Sequence, residues 1–174
     1  MTAAYVNWGG ARIKLTWKEA THLPEREFIT SAHGFCFLEG KVLLVNLQNR
    51  GWDIPGGHIE KGESPKQCFK REAMEEGYVE GQCTQLGYII VDHSENLQWT
   101  ERSIYPKIGY QAFYHMEIER MYDFEARYES SERKLVDPLQ ITEFCKGWHE
   151  TLAEALNSAM KGVPPFYEPK RKRA

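Results

Sequence analysis

Residues 52–79 read WDIPGGHIEKGESPKQCFKREAMEEGYV, and this stretch decides the fold. Its second half, from Ser64 onward, carries the start signals of a helix. Ser64 can cap the first turn, Pro65 suits the first helical position, and Gln67 completes a capping box. The stretch therefore predicts a helix that follows a glycine-rich turn at residues 55–57.

Three glutamates, Glu72, Glu75 and Glu76, occupy one face of this predicted helix. Their spacing of i, i+3 and i+4 places the carboxylates on a stripe about 100° wide. A glutamate-rich face is usually only solvated. Like charges so close repel one another, however, and a hard divalent cation with oxygen ligands would neutralise them. We therefore expect Mg²⁺ at this face, with Mn²⁺ as the alternative.

The spacing of the whole stretch resembles the Nudix box of the Nudix hydrolase (MutT-like) family. That motif has a glycine, five residues, a glutamate, seven residues, and then Arg-Glu, an aliphatic residue, any residue and Glu-Glu. The positions in register are Gly57, Glu63, Arg71, Glu72, Glu75 and Glu76. Six fixed identities match by chance on the order of 10⁻⁷ per starting position. The resemblance implies an α/β fold, the Nudix-type α/β/α sandwich with a mixed β-sheet between helices.

The same resemblance implies roles for the matched residues. The expected metal ligands are Gly56, through its carbonyl, and Glu72, Glu75 and Glu76. The expected structural supports of the box are Gly57, Glu63 and Arg71, of which Glu63 and Arg71 bridge the loop to the helix. The implied reaction is the metal-dependent hydrolysis of a nucleoside diphosphate linked to another group.

A further acid from outside the box is expected as base or ligand. Glu129 is the first candidate, which makes Glu72, Glu76 and Glu129 the predicted catalytic set. Glu132 and Glu117 are the alternatives, and each of these acids taken singly is most simply a solvated surface residue. Trp99 and Tyr105 are candidates for substrate binding, because an aromatic ring can stack on a base.

One position departs from the motif, since Tyr78 stands where the family has a glycine that ends the helix. Gly77 comes one residue earlier. We therefore predict that the helix ends one residue sooner, with Gly77 as its left-handed cap. Tyr78 is interpreted as a packing residue.

The flanking sequence predicts a mixed α/β order. Alternation and turn signals indicate a hairpin over residues 33–47 and strands near residues 13–17, 82–92 and 108–118. Residues 93–107 and the charged residues 119–134 are predicted loops, and residues 142–161 are a predicted helix.

Composition bounds the rest. A chain of 174 residues with 41% hydrophobic content suits one domain, predicted at residues 1–165, with a basic tail at 166–174. The net charge of −3 does not favour a nucleic-acid partner. The four cysteines lack metal-ligand spacing, and no segment reads as a signal peptide or a membrane span. The sequence therefore predicts a cytoplasmic protein that makes no contact with a membrane, and a homodimer is compatible with it.

The substrate is defined only by elimination, because residues around the box lack the markers of several Nudix subfamilies. A nucleoside triphosphate or modified nucleotide remains. Two alternatives stay open: a non-catalytic module that senses a nucleotide, and an RNA-cap pyrophosphohydrolase, for which the basic tail is the only support.

Overall fold

The computed structural model describes residues 3–161, which form nine strands and three α-helices. The strands are β1 Ala3–Trp8, β2 Ala11–Glu19, β3 Ile29–Leu38, β4 Lys41–Leu47, β5 Gly51–Asp53, β6 Gly56–His58, β7 Val79–Asp92, β8 Ile108–Met121 and β9 Ser130–Val136. The helices are α1 Pro65–Gly77, α2 Ile141–Phe144 and α3 Glu150–Met160. The predicted tail at 166–174 and the end of the predicted domain lie outside the described residues.

The strands form one mixed sheet in the order β1-β2-β7-β8-β3-β4-β5, while β6 pairs with β3 and β9 with β4. The β3–β8 pair is parallel, and the other pairs are antiparallel. One face of the sheet packs against α1 through Phe69 and Ala73, both fully buried. The other face packs against α3 through Ala155 and Ala159. This arrangement confirms the predicted α/β/α sandwich.

Helix α1 begins as predicted but ends differently. Ser64 accepts a hydrogen bond from the Gln67 N–H, and the reciprocal bond completes the capping box. The prediction that Gly77 caps the helix is wrong, because Gly77 is still helical and Tyr78 takes the left-handed conformation, with φ 55° and ψ 42°. Gly77 serves a different need: a Cβ there would lie 2.7 Å from Leu43 Cδ2, so glycine lets the helix approach β4 closely.

Three other elements differ from the prediction. Strand β1 was not expected, and β9 occupies part of the predicted loop at 119–134, so Glu132 lies on a strand. The predicted helix at 142–161 is broken between α2 and α3. The chain is extended at Cys145 and turns through Gly147, where the Trp148 N–H donates to the Cys145 carbonyl.

None of the helices in residues 3–161 is both long enough and apolar enough to cross a lipid bilayer.

Candidate active site

The box loop and α1 approach each other closely at Gly57. Strand β6 pairs Gly57 with Ala32 of β3, which fixes the loop on the sheet. A Cβ at Gly57 would lie 2.5 Å from Glu72 Oε1, so only glycine leaves room for the carboxylate of Glu72 against the loop backbone. The glycine-rich turn thus brings backbone atoms to the glutamate stripe. The Gly56 group that contacts Glu76 is its N–H, and the ligand role expected of the Gly56 carbonyl stays a prediction.

Arg71, on α1, binds the carboxylate of Glu63 in the box loop and those of two glutamates of its own helix. Its Nε donates to Glu63 Oε1 at 2.6 Å and its Nη2 donates to Glu63 Oε2 at 3.1 Å. Its Nη1 donates to Glu72 Oε1 at 2.9 Å and to Glu75 Oε2 at 3.4 Å. The hydrogen bonds from Arg71 lower the pKa of Glu63, whereas burial is the main cause that raises the pKa of Glu75. The guanidinium therefore partly neutralises the repulsion along the stripe.

Glu76 is the most deeply buried acid of the box, with 2% of its surface exposed. Its Oε1 accepts a hydrogen bond from the Gly56 N–H at 3.3 Å, and its main-chain carbonyl accepts one from Ser130 Oγ at 2.6 Å. Its Oε2 is buried and has no hydrogen-bond partner among residues 3–161. Burial first, and the neighbouring Glu72 second, raise the pKa of Glu76 to about 9. The positive charge of Arg50 acts in the opposite direction but weighs less than burial and Glu72, so among residues 3–161 the charged form of this carboxyl is not compensated.

The acids meet at one open pocket of about 260 Å³, which we call the acidic pocket. The residues that line it are Glu60, Arg71, Glu72, Glu75, Glu76, Tyr128 and Glu129. The structure thus places Glu129 beside the box glutamates, and the Gln48 N–H holds the Glu129 carbonyl at 3.1 Å.

The two alternatives to Glu129 are not among the lining residues. Glu132 lies on β9, where it accepts a hydrogen bond from Asn46 Nδ2, and Glu117 lies 3.5 Å from His115 Nε2. Sequence reasoning missed Glu60 and Tyr128. Glu60 lies inside the box and Tyr128 is next to Glu129, and these positions are the signals that could have found them.

Trp99 and Tyr105 lie together near the box loop but do not line the acidic pocket. The Trp99 indole N–H donates to the Tyr105 carbonyl at 3.0 Å. The Tyr105 hydroxyl is 3.0 Å from His58 Nε2, and the two rings are stacked at 5.9 Å. The loop at 93–107 therefore contacts the box through a histidine that the sequence did not single out as a binding residue.

Ligand geometry for a metal is not preformed in the part of the chain that the structure describes, where no three His, Cys, Asp or Glu side chains stand together as a ligand group. Arg71 explains part of this, because it binds oxygens of Glu72 and Glu75. The donor chemistry nevertheless fits a hard cation, since the pocket offers carboxylate oxygens and Glu76 Oε2 lacks a partner among residues 3–161.

Known proteins share the domain and the fold of this chain. The model of the NUDIX domain matches residues 29–157, and no curated protein matches the chain. A mutant form of the pyrophosphohydrolase BsRppH of Bacillus subtilis is similar in fold. It has a TM-score of 0.70 and 17% identity, with coverage of 94% of this chain and 100% of that chain.

Two further solved structures are similar. A NUDIX hydrolase from Nitrosomonas europaea has a TM-score of 0.57 and 18% identity, with coverage of 79% and 92% of the two chains. The NUDIX domain of Shewanella oneidensis NrtR, complexed with ADP ribose, has a TM-score of 0.56 and 18% identity, with coverage of 78% and 88%. The family match spans most of the chain and includes the whole box. The chain therefore belongs to the Nudix family and is a Nudix hydrolase, as its motif predicts.

Proposed function

We propose that this protein is a Mg²⁺-dependent hydrolase that cleaves the pyrophosphate linkage of a nucleoside diphosphate derivative. The substrate class that we favour is a nucleoside triphosphate or a modified nucleotide. One observation carries the proposal: Glu129, from a distant part of the chain, lies with Glu72, Glu75 and Glu76 around one pocket. An acid from outside the box can serve as the base or as a further metal ligand beside the metal-binding stripe.

The residues of the acidic pocket divide the work as follows. Glu72, Glu75 and Glu76, with the Gly56 carbonyl, would hold the metal. When bound, Mg²⁺ would neutralise the charge of the pyrophosphate and polarise its phosphorus–oxygen bonds. Glu129 would accept the proton of the attacking water, and Glu72 would be the base if Glu129 were not.

The supporting residues hold the box loop against α1. Arg71 joins Glu63 to Glu72, and Gly57 gives the Glu72 carboxylate the space that a side chain would fill. We assign Gly57, Glu63 and Arg71 to support of the site, because Arg71 is already committed to protein carboxylates.

The similar structures support this class of substrate. One is described as a pyrophosphohydrolase and another as a complex with ADP ribose, a molecule that contains a pyrophosphate linkage. Trp99 and Tyr105 would bind the nucleoside part if the loop at 93–107 moved toward the pocket. A cytoplasmic location and a homodimer stay predictions.

The sensing module is the second candidate, because a Nudix domain in complex with ADP ribose shares the fold. All three box glutamates line the pocket here, which favours hydrolysis. The RNA-cap alternative depends on the basic tail, which lies outside the described residues.

A screen of nucleotide substrates with Mg²⁺, Mn²⁺ or EDTA tests the proposal. We expect release of phosphate or pyrophosphate that needs the metal and falls in Glu76→Gln but not in the surface control Glu132→Gln. Nucleotide binding without any release would favour the sensing module. Deletion of residues 170–174, assayed on capped RNA beside free nucleotides, tests the cap alternative.

A further inference from the structure

Residues 122–129 connect β8 to β9 without helix or strand, and we call this segment the strap. The strap passes the C-terminal end of α1 and ends at Glu129, beside the acidic pocket. Most of its side chains are exposed, so few buried contacts hold it. The Gln48 N–H holds the Glu129 carbonyl at the β9 end, so the contacts of the preceding residues decide how Tyr128 and the Glu129 side chain are presented to the pocket.

Tyr78 contacts the strap at both ends. The Tyr122 N–H donates to the Tyr78 carbonyl at 2.8 Å, and the Arg127 N–H donates to the Tyr78 hydroxyl at 2.9 Å. The Tyr78 ring also meets Phe124 edge-on at 5.1 Å and Tyr128 at 6.5 Å.

The conformation of Tyr78 is what aims its side chain at the strap. A left-handed backbone is energetically costly for a residue with a side chain. Glycine, the residue of the family motif, would take this conformation more easily but would offer neither ring nor hydroxyl. The strained residue is nevertheless well packed, with only 7% of its surface exposed.

We infer that Tyr78 is a positioning residue, which holds the strap so that Tyr128 and Glu129 line the acidic pocket. Tyr78 thus makes contacts with the strap that the glycine of the family motif could not make. The consequence for turnover depends on the proposed function, because it assumes that Glu129 takes part in hydrolysis. The contact with the strap does not depend on it.

Hydrogen exchange on the millisecond timescale tests the contact itself. Tyr78→Phe keeps the ring and removes only the acceptor of the Arg127 N–H. We expect exchange within residues 123–129 to rise about 3- to 10-fold, as the loss of one net hydrogen bond implies. Tyr78→Gly, which loses the ring as well, should raise it further. The matched control is Tyr122→Phe, which removes a hydroxyl that binds Glu80 instead, and it should exchange like the wild type.

A double-mutant cycle tests whether Tyr78 acts through Glu129. Tyr78→Phe should lower the rate of hydrolysis in single-turnover experiments about 3- to 10-fold. In steady-state experiments it should change substrate KM less than twofold. In the Glu129→Gln background the same substitution should lower the rate less than twofold.

Two results would overturn the inference: unchanged exchange of the strap in Tyr78→Phe, or an equal loss of rate in both backgrounds. If the wild type hydrolyses no nucleotide while Tyr78→Phe still loosens the strap, the proposed function fails and the anchoring role stands.

Discussion

Replacing Glu76 by glutamine should stabilise the metal-free protein and nearly abolish its activity. Glu76 is buried, its Oε2 has no partner among residues 3–161, and its pKa is raised from 4.5 to about 9. In the unfolded chain the carboxyl ionises at its ordinary pKa, so folding at neutral pH requires it to bind a proton. Glutamine resembles the protonated form and can still accept the Gly56 N–H, so it avoids this cost.

The sign and the size follow from the raised pKa. The contribution of Glu76 to stability is fully present below pH 4.5 and is lost as the pH rises toward about 9. At ~1.4 kcal/mol per pH unit above 4.5, the cost at pH 7 is at most about 3.5 kcal/mol. The advantage of Glu76→Gln over the wild type should therefore widen as the pH rises through this range.

Urea denaturation in EDTA, at several pH values across this range, measures the effect. Glu132→Gln, which removes an exposed carboxylate bound to Asn46, is the matched control and should leave the pH dependence unchanged. In the presence of Mg²⁺, Glu76→Gln should lower the turnover number by two to four orders of magnitude, roughly 3–5 kcal/mol. The reasoning is refuted if the variant is no more stable than the wild type at any pH, or if it keeps more than a third of the activity.

Three other outcomes are expected. Glu129→Gln should lower the turnover number strongly with little change in KM, whereas the surface variants Glu132→Gln and Glu117→Gln should stay active; loss in one of these instead would move the role to that residue. Saturating Mg²⁺ should raise the melting temperature and the exchange protection of residues 64–77, because metal at 100 times its dissociation constant adds ~2.7 kcal/mol to the free energy of unfolding. An unchanged melting curve would mean that the glutamate stripe is only a solvated face. Tyr105→Ala, which loses both the ring that could stack on a base and the hydroxyl bound to His58, should raise KM for nucleotides several-fold with little change in turnover number, and an unchanged KM would exclude Tyr105 from substrate binding.

The parts of the fold that local chemistry determines could be predicted from the sequence. The start of α1 depends on three neighbouring residues, and the structure has their capping box. The hairpin of β3 and β4 turns at Glu39 and Gly40, both with positive φ, as the turn residues indicate. The box glutamates share a helix face because their spacing requires it.

The parts that depend on tertiary contacts could not be predicted in this way. Strand β9 is rich in exposed charged residues, so its pairing with β4 leaves little hydrophobic alternation to detect. Glycine is a common helix-capping residue, so the sequence favours a cap at Gly77. The need for glycine beside Leu43 is visible only once α1 lies on the sheet. The left-handed Tyr78 likewise depends on the strap, which comes more than 40 residues later in the chain.

The contacts of Glu76 explain where differences in substrate should arise. Its carboxyl and carbonyl oxygens are bound by Gly56 on β6 and by Ser130 on β9, so the centre of the site is built on the sheet and on α1. Because the sheet and α1 hold Glu76 in this way, the metal-binding stripe can move little. The loop at 93–107 contacts the site through Tyr105 and His58, and the strap is held mainly by Tyr78 and by the Gln48 N–H. Neither segment is a strand of the sheet. Because such segments can change without disturbing the sheet, we expect them to select the substrate while the box and the sheet provide the chemistry.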